Sequence, residues 1–158
     1  MSLTIMRRIR FCAGHRLMHH GGMCENFHGH NYVADFYVEG DKQDEIGRVI
    51  DFSVLKKLMK TWLDDNWDHG FLIHQDDDNA RQGLKIIKPC RYFEMPYNPT
   101  AENMALYLLK EVCPGLLAGT GARATGVRIW ETDDSFAEAK IDGESGETVV
   151  MAAMADEI

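Results

Sequence analysis

The stretch His30-Asn31-Tyr32-Val33-Ala34-Asp35-Phe36-Tyr37-Val38-Glu39, closed by Gly40, sets Tyr32, Ala34, Phe36 and Val38 on one parity and Val33, Asp35, Tyr37 and Glu39 on the other. That period of two is the signature of a strand. Residues 4–13 repeat it, with Ile5, Arg7, Ile9 and Phe11 opposed to Met6, Arg8, Arg10 and Cys12. The link between the two, 14–29, carries four glycines and four histidines and is too long for a tight hairpin, so it reads as a functional loop.

Further along, Asp51 is placed to cap a helix whose apolar positions Phe52, Leu55, Leu58, Met59, Trp62 and Leu63 fall at helical spacing. Residues 66–98 show little periodicity apart from an acidic run, Asp76–Asp78, and a short strand signal at Arg91–Met95. Asn98-Pro99-Thr100 then opens a second helix, with Thr100 as N-cap, Glu102 in the first turn and Ala105, Leu108, Leu109 and Val112 as its buried stripe. Pro114-Gly115 reads as its stop. Thr125–Thr132 and Phe136–Asp142 are two further strands joined by Asp133-Asp134-Ser135. The order β-β-α-α-β-β predicts an α+β fold: one domain over 1–158, a four-stranded antiparallel sheet with two helices on one face, and a tail from 143 onward without a strong signal.

Composition narrows the function. Seventeen Lys and Arg against 25 Asp and Glu give a net charge of -8, and no basic run tracks a phosphate backbone, which argues against nucleic acid. The longest apolar stretches fall far short of the roughly 18 to 20 residues that cross a bilayer, and the first residues lack the basic-then-apolar order of a secretion signal. A cytoplasmic protein without a membrane partner is expected. Cys12, Cys24, Cys90 and Cys113 form no CxxC pair, so neither a disulfide framework nor an all-cysteine zinc site follows.

His28-Gly29-His30 lies at the start of the second strand, where residues two apart project from one face. His15, at the end of the first strand, supplies a third nitrogen if the strands pair antiparallel. Three neutral imidazoles with an open position are the arrangement of a catalytic zinc site; His19 and His20 are rival ligands, and loop histidines with ordinary hydrogen bonds are the plain alternative. Cys24, on the same loop, would be a base or nucleophile beside a dication, or else a small buried hydrophobe, as Cys12, Cys90 and Cys113 are read. Asp68-His69 forms a carboxylate-oriented imidazole able to shuttle protons, or merely closes a turn. Glu131 shares the parity of Val127 and Ile129, so its carboxylate needs a donor pair, from a ligand or from a salt bridge.

These residues recur as blocks: Phe11-Cys12-Ala13-Gly14-His15-Arg16-Leu17, Cys24-Glu25-Asn26-Phe27-His28-Gly29-His30, Gly47-Arg48-Val49-Ile50-Asp51-Phe52, Trp67-Asp68-His69, Pro99-Thr100-Ala101-Glu102-Asn103 and Trp130-Glu131-Thr132. In order and from about 11 to 142, they resemble the 6-pyruvoyltetrahydropterin synthase and 6-carboxytetrahydropterin synthase family. The resemblance implies a tunnelling fold in which three subunits close their sheets into a twelve-stranded barrel, two trimers stack into a homohexamer, and the sites lie at subunit interfaces. It implies Zn2+ on His15, His28 and His30, Cys24 as proton-abstracting base with Asp68 and His69 as its partners, and Glu131 as pterin anchor with Thr100 and Glu102 beside it. The substrate implied is 7,8-dihydroneopterin triphosphate. Three residues separate Cys24 from His28, as in the carboxytetrahydropterin branch, where the pyruvoyl branch resembles a five-residue gap. Glu25 directly after Cys24 resembles a mixed group that releases 6-hydroxymethyl-7,8-dihydropterin for folate synthesis. A silent pterin or metal binder is the non-enzyme alternative. The family pattern is departed from at Ile73-His74, in a longer 75–95 and in the tail; Arg16, His19 and His20 are the candidates for phosphate contacts.

Overall fold

The computed structural model describes residues 2–143 and 146–154. The two alternating stretches become β1 (Thr4–His15) and β2 (His28–Gly40), paired antiparallel from Thr4 opposite Glu39 to His15 opposite His28. Both strands run further than their alternation suggests. The ladder continues through the glycine pair Gly14 and Gly29, which breaks the hydrophobic pattern but not the backbone hydrogen bonds, so His15, His28 and His30 stand on strands rather than in the loop. β2 continues antiparallel to β5 (Ala122–Trp130), and β5 to β6 (Ser135–Ile141). These four adjacent strands are the antiparallel sheet expected from the sequence.

The sheet itself has seven strands, which corrects the four-stranded expectation. Its order is β4 (Tyr92–Met95), β3 (Gly70–His74), β1, β2, β5, β6, β7 (Thr148–Met154). β3 and β4 add on parallel, joined by α2 (Asp78–Ile86), as a parallel pair requires a crossover. β3 gives no alternation because Leu72 and Ile73, on opposite faces, are both fully buried. The acidic run hides a cap: Asp77 accepts from the N–H of Ala80 and starts α2. On the far side, β7 pairs antiparallel with β6, so part of the tail is ordered strand, while residues 144–145 and 155–158 lie outside the described residues.

α1 (Phe52–Asn66) is capped by Asp51 Oδ1, which accepts from Ser53 N at 2.7 Å. Leu55, Met59 and Leu63 are buried, worth about 1.5–3 kcal/mol each, whereas Phe52 at the first turn is exposed. Thr100 caps α3 (Ala101–Tyr107) through Asn103 N at 3.1 Å. Pro114-Gly115 does not end the helical run. A π turn at Leu108–Val112 leads straight into a short α4 (Cys113–Leu117) that contains Pro114. The Cys113 N–H reaches back five residues to Leu108 O, so the ladder is already out of step where the missing proline N–H falls. α1, α3 and α4 cover one face, against Ile9, Phe11, Tyr32, Ala34, Phe36, Val127, Ile129 and Ala137, whereas α2 packs Ala80 and Leu84 against Ile73 in a separate cluster. The other face carries charge: Arg8 Nε donates to Asp35 Oδ1 at 2.7 Å, Trp130 Nε1 to Asp35 Oδ2 at 3.0 Å, and Arg128 Nη2 to Glu138 at 3.0 Å. No helix among the described residues is long and apolar enough to cross a membrane.

Candidate metal centre and the groups around it

Directly opposed residues in a ladder share a face. The register His15 with His28 and Ala13 with His30 therefore turns all three imidazoles to the helix-covered side, at the end of the sheet. One ligand atom from each lies within 4.8 Å of the others. His15 Nδ1 donates to the carbonyl of Pro99 at 2.8 Å, and His28 Nδ1 to the carbonyl of Asn26 at 2.8 Å. A carbonyl only accepts, so both rings carry their proton on Nδ1 and turn a bare Nε2 inward. Those two Nε2 atoms are 3.0 Å apart. Two lone pairs at that distance repel unless a cation lies between or beside them. His30 Nε2 is sealed from solvent with no hydrogen-bond partner, which costs about 1–3 kcal/mol if nothing binds it. Its nearest charge, Glu131 Oε1, is 3.6 Å away.

Burial pushes the His15 imidazole down to about 4; the Pro99 carbonyl opposes this, and His28 and His30 reinforce it. Burial likewise lowers His30, against the pull of Glu131. Two rings whose proton-bearing nitrogens are anchored to backbone carbonyls, His15 and His28, and a third with its Nε2 unpartnered, His30, converge as a divalent cation that takes nitrogen ligands requires. Gly29 allows the spacing: a Cβ there would stand 2.8 Å from Ala13 O. The rival ligands are elsewhere. His19 is in the turn at positive φ, and His20 Nδ1 accepts from Gly22 N at 3.1 Å.

A second group sits on the opposite side of the sheet. Cys12 is opposed to Asn31, one step out of phase with Ala13 and His30. Asp68 Oδ1 accepts from Cys12 N at 2.9 Å, and Asp68 Oδ2 accepts from His69 Nδ1 at 2.8 Å. Burial raises the Asp68 carboxyl, but the Cys12 amide and His69 outweigh it and hold it below the usual carboxylate range. Asp68 and His69 are thus bonded to each other, and the thiol beside them is Cys12, whose Sγ is 3.8 Å from either ring nitrogen of His69. Cys24, half-buried in the 3-10 turn Met23–Glu25, accepts instead from Leu17 N through its carbonyl at 2.9 Å. An open cleft of about 410 Å³ is lined by residues of both groups, Cys12, His28, His30 and His69 among them.

Glu131 projects to the side of His30, as its parity predicts, and lines a cavity of about 150 Å³ with Ala101, Glu102 and Phe136. Thr100 Oγ1 is engaged as the α3 cap, and Glu25 Oε2 accepts from Gly21 N at 2.9 Å within its own loop. Arg16 Nε donates to the buried Asp77 at 2.7 Å. Sequence reasoning missed the carbonyls of Pro99 and Asn26, and Asn98, whose amide clamps Met18 N and O at 2.8 and 2.9 Å and ties the histidine loop to the start of α3. It also set Cys12 aside, although its parity with Arg8 and Arg10 already excluded it from the core face.

With this geometry in view, comparison with known proteins is informative. The sequence profile of 6-pyruvoyl tetrahydropterin synthase matches residues 4–142. The 6-carboxy-5,6,7,8-tetrahydropterin synthase of Rickettsia conorii is 39% identical over 132 residues, covering 84% of this chain and 96% of that protein. The protein of the same name from Haemophilus influenzae is 30% identical over 139 residues, covering 85% and 96%. Among solved structures, an uncharacterized Wolinella succinogenes protein superposes with a TM-score of 0.74 at 20% identity, over 90% of this chain and 99% of that one. The Caenorhabditis elegans 6-pyruvoyl tetrahydropterin synthase superposes with 0.59 at 23% identity, over 98% and 96%. Fold, matched length and curated relatives agree, and the chain belongs to the 6-pyruvoyl tetrahydropterin synthase family.

Proposed function

We propose that the protein is a zinc-dependent carbon–oxygen lyase that converts 7,8-dihydroneopterin triphosphate to 6-carboxy-5,6,7,8-tetrahydropterin, with acetaldehyde and triphosphate, for deazaguanine (queuosine) synthesis in the cytoplasm. The single observation that carries this reading is the convergence of His15, His28 and His30 with the His30 Nε2 orphaned. Zinc held by these three nitrogens would act as a Lewis acid on side-chain oxygens of the substrate and acidify the neighbouring C–H bonds.

The chain's own groups do the rest. The Glu131 carboxylate accepts the two adjacent N–H groups of a pterin edge, with Glu102 lining the same cavity and Thr100 at the head of the same helix. The Cys24 thiolate takes a proton from the side-chain carbon, and the His69 ring, oriented by Asp68, relays protons. Glu25 sits directly behind Cys24 and steadies its turn. The zinc ligands and the Asp68-His69 pair stand on opposite sides of the sheet, so the complete site is assembled by Cys24 of one protomer with Asp68 and His69 of a neighbour. A homohexamer built as a dimer of trimers supplies that arrangement. The edge of β1 favours it: β3 pairs with only Ala13–His15, and the ladder pairs Thr4–Phe11 on the β2 side alone.

Incubating zinc-loaded protein with the substrate and weighing the products tests the reading. Acetaldehyde with 6-carboxytetrahydropterin is expected. 6-Pyruvoyltetrahydropterin or 6-hydroxymethyl-7,8-dihydropterin would reassign the product, and unchanged substrate would leave a pterin or metal binder.

A further inference from the structure

The thiol of Cys12 has no part in the chemistry above, yet it is one of three potential ligands, with Asp68 and His69, whose ligand atoms all lie within 4.8 Å of one another. We propose that Cys12, His69 and Asp68 form a second, weaker site for a thiophilic divalent cation such as zinc, and that a cation bound there inhibits the enzyme by occupying His69.

The spacing is near that of a ligand pair, although the ring is not yet aimed as one. A tetrahedral zinc with ordinary Zn–S and Zn–N bonds sets sulfur and nitrogen roughly 3.6 Å apart; Cys12 Sγ is 3.8 Å from both Nε2 and Nδ1 of His69, so it lies over the ring rather than along the Nε2 lone pair. The side chain of His69 is 79% exposed in the single chain, so its ring has room to tilt until Nε2 faces the sulfur. Its Nδ1 is already engaged by Asp68 Oδ2, which leaves Nε2 as the ligand and gives it the carboxylate support that zinc-bound imidazoles usually have. The other Asp68 oxygen holds the Cys12 amide, so the same carboxylate fixes the backbone from which the thiol projects. Soft sulfur, borderline nitrogen and a nearby negative charge select zinc or cobalt over magnesium or calcium. Binding replaces the S–H proton by an S–metal bond and releases that proton to solvent. With two protein ligands and an acid in support, against three converging imidazoles, this site fills second.

The test uses cobalt as probe. The metal-free full-length protein is titrated with Co2+ while sulfur-to-cobalt charge transfer is followed in the near ultraviolet. The band should grow with the second equivalent, vanish in Cys12→Ser and Cys12→Ala, and persist in Cys24→Ser, with second-site affinity lowered about tenfold or more when the thiol is removed. A band that survives both Cys12 variants and disappears in Cys24→Ser, or a second equivalent that brings no sulfur band, overturns the proposal. The inhibitory part rests on the proposed function and is read separately: excess zinc should slow wild-type turnover and spare Cys12→Ser. Equal inhibition of both removes that part. If no turnover exists at all, the functional reading fails while the cobalt spectra still decide the site.

Discussion

His15 Nδ1 donates to the carbonyl oxygen of Pro99 at 2.8 Å, joining positions 84 residues apart. That one bond couples the end of β1 to the chain just before the α3 cap, and it decides which nitrogen of His15 looks inward. The orientation of a candidate metal ligand is thereby set by a main-chain group that no side-chain substitution removes. Metal binding should accordingly be lost by changing the ring and not by changing its partner: His15→Ala and His30→Ala should each bring bound zinc close to zero by elemental analysis with the far-ultraviolet dichroism retained, while Pro99→Ala keeps most of it.

Metal should also stabilise the fold, since a ligand bound only by the native state adds RT ln(1 + [L]/Kd), about 2.7 kcal/mol at a hundredfold excess over Kd. Added zinc should raise the Tm of the wild type and leave that of His30→Ala unmoved. An equal rise in both would remove His30 from the ligand set.

Acid should destabilise the metal-free protein through His15. Burial lowers its folded-state value to about 4 from 6.5, so between those limits the unfolded chain binds the extra proton. The contribution is fully present above pH 6.5 and is lost as pH falls toward 4, to a limit of about 3 kcal/mol. Urea midpoints across this window should fall more steeply in the wild type than in His15→Gln.

Glu131→Gln keeps one acceptor and offers an N–H where the pterin edge also donates. The loss of a charge-assisted pair is worth about 1.5–3 kcal/mol, which is roughly a ten- to hundredfold rise in KM with zinc content unchanged. Steady-state kinetics beside metal analysis separates this from damage to the histidine cluster.

Cys24→Ala and His69→Ala should each lower turnover by about 10²–10⁴ with zinc retained. Co-expressed in one cell, the two inactive variants should recover part of the wild-type rate, because mixed assemblies rebuild an intact Cys24 beside an intact His69 from different chains. Absence of recovery, with mixed oligomers demonstrated by tagged purification, would place both groups in one protomer.

Most of the sheet was legible because β1, β2, β5 and β6 each turn one parity of apolar residues to the core and place charged residues on the other. β3 was not, since Leu72 and Ile73 are both buried and short apolar runs carry no period. Of the two parallel strands, β4 (Tyr92–Met95) does show in the sequence as the short signal at Arg91–Met95, whereas α2 starts inside the acidic run Asp76–Asp78 and gave no signal there, although Asp77 is 2% exposed, caps the helix and binds Arg16. At the candidate site, residue type and two-residue spacing put His28 and His30 on one face, and antiparallel pairing set His15 beside them. The carbonyls that orient these rings carry no side-chain signature and become visible only once the chain is folded. Cys12 differs again: its parity with Arg8 and Arg10 does set it off the core face, and only the general tendency of a lone cysteine to be a small buried hydrophobe argued otherwise, where the thiol is half-buried.

Gly29 gives the metal centre an unusual kind of fragility. The two outer rings are held apart by a residue whose missing methyl would sit 2.8 Å from a backbone oxygen, an atom that cannot swing aside as a side chain would. A Gly29→Ala change touches no ligand, yet it would wedge the neighbouring strands apart at the point where their alignment aims the imidazoles. The affinity of the cluster is therefore as much a property of that narrow seam as of the histidines it presents.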